Sequence, residues 1–293
     1  MKKIDVNHKT QTKNMATTKN TENTGKGERR NILKLIGEGF AGVFKNPRVI
    51  LPAFFSMILS LILALLGIFV FLKILGVPFT QLFSGSIDTA TSTQIVNDML
   101  ANLKVPGTLA LLIVMAVLFI LVFLIITSYF NGGIIGMMKE FYEKNRKTGL
   151  SEMNKYGVKF LGRIFLFNVL FNVIFFILVM LLSLPSVAID PTLKTAIAIY
   201  SVCEALLLFV FYLFLSLTSY SMVLDDSSVW KAMKTSFSTV WHNFFSLLLL
   251  IILFLIMSVL VTFIPYIGWI VSAIVITTAM TIAFLVFAKE RKQ

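Results

Sequence analysis

Five long stretches of this chain, 49–72, 105–138, 164–189, 195–224 and 243–288, are apolar and almost free of charge, and each lies between segments that carry basic residues. A helix crosses a bilayer with about 20 apolar residues, so each stretch is long enough to span it. The last is about twice that length, and Phe263-Ile264-Pro265-Tyr266-Ile267-Gly268 interrupts it with a turn signal. The pattern predicts an all-α polytopic membrane protein with six transmembrane helices. Their spans are about 49–72, 107–132, 164–184, 196–220, 244–263 and 268–288.

Between the spans the period changes. In 31–45, Ile32, Leu33, Leu35, Ile36, Phe40, Val43 and Phe44 recur at helical spacing with Lys34, Glu38 and Lys45 among them. That segment is too short and too charged to span, and predicts an amphipathic helix in the membrane interface. Asn46-Pro47 ends it, because the residue before proline is pushed out of the α region. The same device recurs between spans two and three, with Met153, Tyr156, Phe160 and Ile164 apolar, Lys155, Lys159 and Arg163 on another face, and Ser151 as N-cap. It recurs again after Ser227 and Ser228, with Trp230, Met233, Phe237, Val240 and Trp241 opposite Lys231, Lys234 and Ser238. The expectation is three hairpins, each preceded by an interfacial helix. Phe40-x-x-Val43-Phe44-Lys45-Asn46 and Phe237-x-x-Val240-Trp241-His242-Asn243 point to an internal repeat, or to convergence wherever a helix bends from interface into membrane. On the other side, Ile95, Val96, Met99, Leu100 and Leu103 predict one short amphipathic helix, and Pro185 and Pro191 hold a second loop.

Composition agrees with a membrane domain. The chain is 57% hydrophobic, with a mean hydropathy of +0.89. Residues 1–30 are polar and basic and predict a disordered tail, in which Met15 is an alternative start to Met1. The membrane domain covers 31–288, and 289–293 form a short basic tail. No cleavable signal peptide is visible in the polar first 30 residues.

Charge sets the expected orientation. Of 26 Lys and Arg, 11 precede the first span, seven lie at 139–163, two are Lys231 and Lys234, and three follow the last span. Only Lys73, Lys104 and Lys194 fall on the opposite side. This bias predicts a multi-pass protein of the cell (plasma) membrane with N- and C-termini in the cytoplasm. The net charge of +12 then reads as topology plus affinity for anionic headgroups, rather than for nucleic acid. Lys155, Lys159, Arg163, Lys231 and Lys234 are the candidate headgroup contacts.

Candidate chemistry is sparse. Glu204 is the one acidic residue well inside a span, with Asn168 and Asn172 one turn apart on the preceding one. Two readings stand: a proton or cation site near the midplane, or an interhelical hydrogen bond that fixes packing. Ser56, Ser60 and Ala64 on the first span, and Gly132 and Gly136 on the second, are small-residue faces for internal packing or for a dimer. Asp225-Asp226 complement the start of the helix that follows them. One cysteine, Cys203, supports neither a disulfide nor a thiolate metal site. No catalytic triad, zincin motif or P-loop is present, so no catalytic residue, metal or cofactor is expected.

Gly132-Gly133-Ile134-Ile135-Gly136-Met137-Met138-Lys139 and Val223 through Phe237, with Ala232-Met-Lys-Thr-Ser236 and then Asn243, carry a resemblance. They look like an uncharacterised group of prokaryotic six-helix membrane proteins related to the membrane domain of glycerophosphoryl diester phosphodiesterases. The resemblance implies the fold, and no counterpart of the phosphodiesterase catalytic domain is present. The sequence therefore predicts a non-catalytic membrane protein that interacts with lipid, organises the membrane or scaffolds a partner. The alternative is a transporter or channel for a small or amphipathic solute that uses Glu204.

Overall fold

The computed structural model describes residues 31–77, 89–144, 147–188 and 194–290. The tail 1–30, Pro191 and the end of the basic tail, 291–293, lie outside the described residues. Among the described residues every regular element is helical. In order these are α1 (Ile32–Lys45), a 3₁₀ turn (Pro47–Val49), α2 (Ile50–Ile74), α3 (Thr89–Leu103), α4 (Pro106–Lys144) and α5 (Leu150–Ala188). There follow α6 (Lys194–Leu215), α7 (Thr218–Asp225), α8 (Val229–His242), α9 (Phe244–Thr262), α10 (Gly268–Val271), a π-helical turn (Ser272–Ile276) and α11 (Thr277–Lys289). Six helical segments are long and apolar enough to cross a membrane: Pro47–Ile74, Pro106–Lys144, Leu150–Pro185, Thr195–Asp225, Phe244–Thr262 and Gly268–Lys289.

The two bends share an extended φ at their asparagines and differ in ψ, 73° at Asn46 and 32° at Asn243. Asn46 closes α1 at φ −133° and Asn243 closes α8 at φ −142°. Both asparagines are extended in φ, which turns the chain before the next helix starts. Val43 and Val240, three residues earlier, are both buried, while Phe44 and Trp241 point outward. Asn46 is itself buried and donates from Nδ2 to Thr148 Oγ1 at 2.9 Å, tying this bend to the α4–α5 connection. The middle segment behaves differently. No bend separates the basic stripe from the span, because α5 runs without a break from Leu150. Its start is not capped by Ser151, which lies inside the helix. Instead the first-turn Glu152 accepts the Gly149 N–H at 2.9 Å.

Small residues decide where helices approach closely. A Cβ on Gly136 would lie 2.1 Å from the Tyr156 ring, and one on Gly133 would lie 2.6 Å from Met153. These glycines let α4 and α5 pack against each other, which places Gly132 and Gly136 at a contact inside the chain. Gly39 does the same for α1, where an added Cβ would meet the Ala279 carbonyl oxygen of α11 at 2.5 Å. The final span is the central one: 56% of its most apolar window is buried, against 6–22% for the other five.

That packing is confined to one end. Leu35 and Val43 of α1, Ile134 to Met138 of α4, Phe160 and Ile164 of α5, Met222 of α7 and Ile282 of α11 belong to one buried cluster. All lie toward the end of the bundle that carries most of the basic residues, here termed the basic rim. Both described chain ends are there too, since Glu38 and Lys45 share a surface recess with Lys289 and Glu290. Away from the rim the spans bury little, and Leu65, Leu118, Ile177 and Val259 are each at least half exposed.

Candidate functional site

The loose half contains a crevice. It has a volume of about 820 Å³ and lies between α2, α4 and α5. On α2 its lining runs from Ser60 to Leu72, and on α4 from Phe119 to Asn131. Each run covers 12 residue steps and rises ~18 Å at 1.5 Å per residue, about the length of an extended acyl chain. The helices are antiparallel here, with Phe119 in contact with Gly67. The far end is therefore apolar, formed by Phe71, Leu72, Phe119 and Ile120, whereas Ser60, Thr127, Asn131, Asn168 and Asn172 line the end toward the basic rim. Ala64 and Ile68 of the lining are exposed, so the crevice opens at the outer surface of the bundle.

A second cavity of about 260 Å³ adjoins the polar end and shares Asn131, Asn168 and Phe171 with the crevice. Tyr212, Ser216, Ser219, Tyr220 and Thr281 line the rest of its polar wall. It sits beside a break in the fourth span, where the turn at Ser216-Leu217 separates α6 from α7. The local sequence explains the break. Serine hydroxyls compete with the helix for its own carbonyls. Ser216 Oγ donates to Leu213 O at 2.8 Å, and Ser236 of α8 donates to Phe214 O at 2.7 Å.

Polar groups at the junction form a chain. Asn172 Nδ2 donates to the Asn168 carbonyl at 2.7 Å. Asn168 Nδ2 donates to Ser128 Oγ at 2.8 Å, and Ser128 donates in turn to the Leu124 carbonyl. Asn168 thus joins α5 to α4, while Asn172 bonds back within α5. They do not meet Glu204, whose Oε1 accepts from Ser183 Oγ at 2.9 Å in the part of the α5–α6 pair away from the basic rim. The expected Glu204–asparagine constellation is divided into two separate sites. The reason is register: Glu204 reaches α5 near its far end, beside Leu182, whose carbonyl accepts from Tyr200.

The other candidates also find partners in the protein. Lys159 Nζ and Arg163 Nη1 grip the two carboxylate oxygens of Asp226 at 2.7 and 2.6 Å. Those two cations hold the Asp226 carboxyl below its ordinary 3.8. Asp226 is left-handed at φ 49° and closes the C-terminus of α7, so it pairs with α5 rather than serving only the helix that follows. Lys155 lies 3.5 Å from the buried Glu140, which Lys144 also reaches at 2.9 Å. Lys231 and Lys234 are exposed on α8. That helix buries Val229, Ala232, Ser236 and Val240, and turns Trp230, Phe237 and Trp241 outward. On α2, Ser56 is half-buried, whereas Ser60 and Ala64 face the crevice instead of a tight helix contact.

Two site residues were not apparent from the sequence. Asn131 belongs to both cavities. Lys139 donates to the carbonyls of Val223 and Leu224 at 3.0 and 2.9 Å, capping the C-terminus of α7 with a cation. The signal for Asn131 was present: Thr127 and Asn131 stand four apart on α4, as Asn168 and Asn172 do on α5. Nothing in the spacing linked Lys139 to Val223. Among the described residues, no group of three His, Cys, Asp or Glu comes together that could hold a metal.

A protein-family model described as a domain of unknown function, DUF7847, matches residues 31–289. That description draws no link to glycerophosphoryl diester phosphodiesterases. No curated protein and no solved structure matches the chain.

Proposed function

The chain belongs to the DUF7847 family, and from its geometry we propose that it is a non-catalytic integral membrane protein that lodges an amphipathic lipid between α2, α4 and α5. The supporting observation is the 820 Å³ crevice, apolar over most of its length and amide-lined toward the basic rim. That volume is within the range of ligand sites, ~300–1,000 Å³. Its two ends match the two ends of a lipid, and its mouth is on the side where lipid is the solvent. The basic bias supports placing the rim, and both termini, on the cytoplasmic side of the plasma membrane. The outward Trp230, Phe237 and Trp241 beside Lys231 and Lys234 support an interfacial role for α8. The matching bends at Asn46 and Asn243 support reading α1–α2 and α8–α9 as repeated units. Kinship with the phosphodiesterase membrane domain rests on the motifs around Gly132 and Ala232 alone.

Vesicles containing a lipid with a diazirine in its acyl chain test the crevice. Irradiation is expected to label 60–72 on α2 and 119–127 on α4. Ala64→Trp, which fills the crevice from an exposed position, is expected to cut that labelling about tenfold, equivalent to ~1.4 kcal/mol of binding. Labelling spread evenly over all six spans and unchanged by Ala64→Trp would reduce the crevice to ordinary lipid-facing surface.

The interrupted fourth span favours a second reading. Broken helices beside a cavity are how many transporters hold a substrate, and the break at Ser216-Leu217 lies beside the 260 Å³ cavity. Flux of an amphipathic solute into protein-containing liposomes, absent from protein-free ones, would favour transport over static binding.

A further inference from the structure

None of the described residues lining either cavity is charged. Resting on the lipid reading above, we infer that the bound lipid has an uncharged, hydrogen-bonding head of the neutral-glyceride class. The head occupies the smaller cavity and the chain lies along the crevice. The junction residues Asn131, Asn168 and Phe171 border both spaces, so one molecule can occupy the two at once.

The hydrogen-bonding inventory supports this choice. Among the described residues the side chains of Asn131, Tyr212 and Ser219 have no hydrogen-bond partner, and all three line the smaller cavity. They offer neutral donors and acceptors in about equal measure: an amide of both kinds and two hydroxyls. Hydroxyl and ester groups need that mixture. A phosphate or carboxylate needs cations, because an ionised group taken from water without a charged partner is strongly disfavoured. The cations nearest in the chain are already engaged. Lys139 binds two carbonyls of α7, while Lys159 and Arg163 hold Asp226. Depth points the same way. Asn131 lies eight residues along α4 from Lys139, or ~12 Å at 1.5 Å per residue. A charged head would remain at the rim among the lysines, whereas an uncharged one can sink below them.

Two photoactivatable lipids with the same diazirine-bearing chains separate the alternatives: a diacylglycerol and a phosphatidic acid, each at the same low fraction in phosphatidylcholine vesicles. Crevice labelling by the diacylglycerol is expected to exceed that by the phosphatidic acid about tenfold. Asn131→Leu, which keeps the side chain's bulk, and Ser219→Ala are each expected to remove most of that preference while leaving thermal unfolding in detergent unchanged. If phosphatidic acid labels as well or better, and Ala64→Trp still abolishes labelling, the crevice binds lipid but the uncharged head is wrong. The same conclusion follows if both polar variants fold and keep the full preference. If neither lipid's labelling responds to Ala64→Trp, the crevice reading fails, and this inference with it.

Discussion

Along α4 the two halves of the bundle can be compared residue by residue. From Phe130 to Met138 every side chain except Asn131 is buried, whereas from Leu109 to Phe123 only Leu112 is. The same contrast runs along α9, where Leu247, Leu250, Ile251 and Phe254 are buried but Leu255, Ile256, Val259 and Leu260 are exposed. Both halves are apolar, so hydrophobicity does not separate them. In a bilayer, lipid chains solvate leucine as well as another helix does, and helices associate through close packing and polar contacts. The half at the basic rim has Gly132, Gly133, Gly136 and Gly157 against Met153, Tyr156 and Tyr129. The far half has Leu, Ile, Val and Phe, which keep neighbouring backbones apart and leave room for a crevice. One half holds the protein together, and the other leaves the crevice that our proposal fills with a lipid.

The sharpest way to break this comparison is to change one side chain in each half. Gly136→Leu forces a side chain into the Tyr156 ring and should destabilise the protein by about 3 kcal/mol, or prevent folding, at the upper end of overpacking costs. Leu118→Ala, in the exposed half, should change stability by less than about 0.5 kcal/mol. Thermal unfolding in detergent measures both, and similar losses would mean that the far half is packed as tightly as the near one.

A smaller difference separates the polar contacts. Lys139→Met strands two α7 carbonyls, at about 2 kcal/mol for hydrogen bonds to a charged group. Glu204→Leu, in the far half, loses only the Ser183 contact and should cost about 0.6 kcal/mol, the average for polar contacts between membrane helices. Glu204→Gln keeps an acceptor for Ser183 and should match the parent chain. A folded Gln variant that had lost a proton-coupled flux would instead make Glu204 a working group.

The smallest effect is expected at the exposed pairing of Asp226 with Lys159 and Arg163. A carboxyl held below its ordinary value contributes stability that is present above about pH 4 and is lost as pH falls through the depressed value. Stability of the parent chain should therefore decline on acidification in that window more than that of Asp226→Asn. The difference should shrink in high salt, because the pair is half exposed. Equal acid profiles for the two proteins would show that the pairing does not hold α7 to α5.

Sequence alone determined the six apolar segments, because a helix must satisfy its own backbone in lipid and the length of an uncharged run reports this directly. It also located the turn near Pro265, the short helix around Val96 and Leu100, and the bends at Asn46 and Asn243, all of which follow from local chemistry. Glycine spacing indicated a close contact on α4 but left open whether the partner was α5 or a second copy. Only the tertiary structure decided that Tyr156 fills the space at Gly136, that Asp226 captures Lys159 and Arg163, and that Glu204 lies apart from Asn168 and Asn172. It alone decided that Thr127, Asn131, Asn168 and Asn172 come together to line one end of a crevice. Helix rotation and register set these pairings. In an apolar solvent, hydropathy carries almost no information about which face of a helix turns inward, so three-dimensional packing had to supply it.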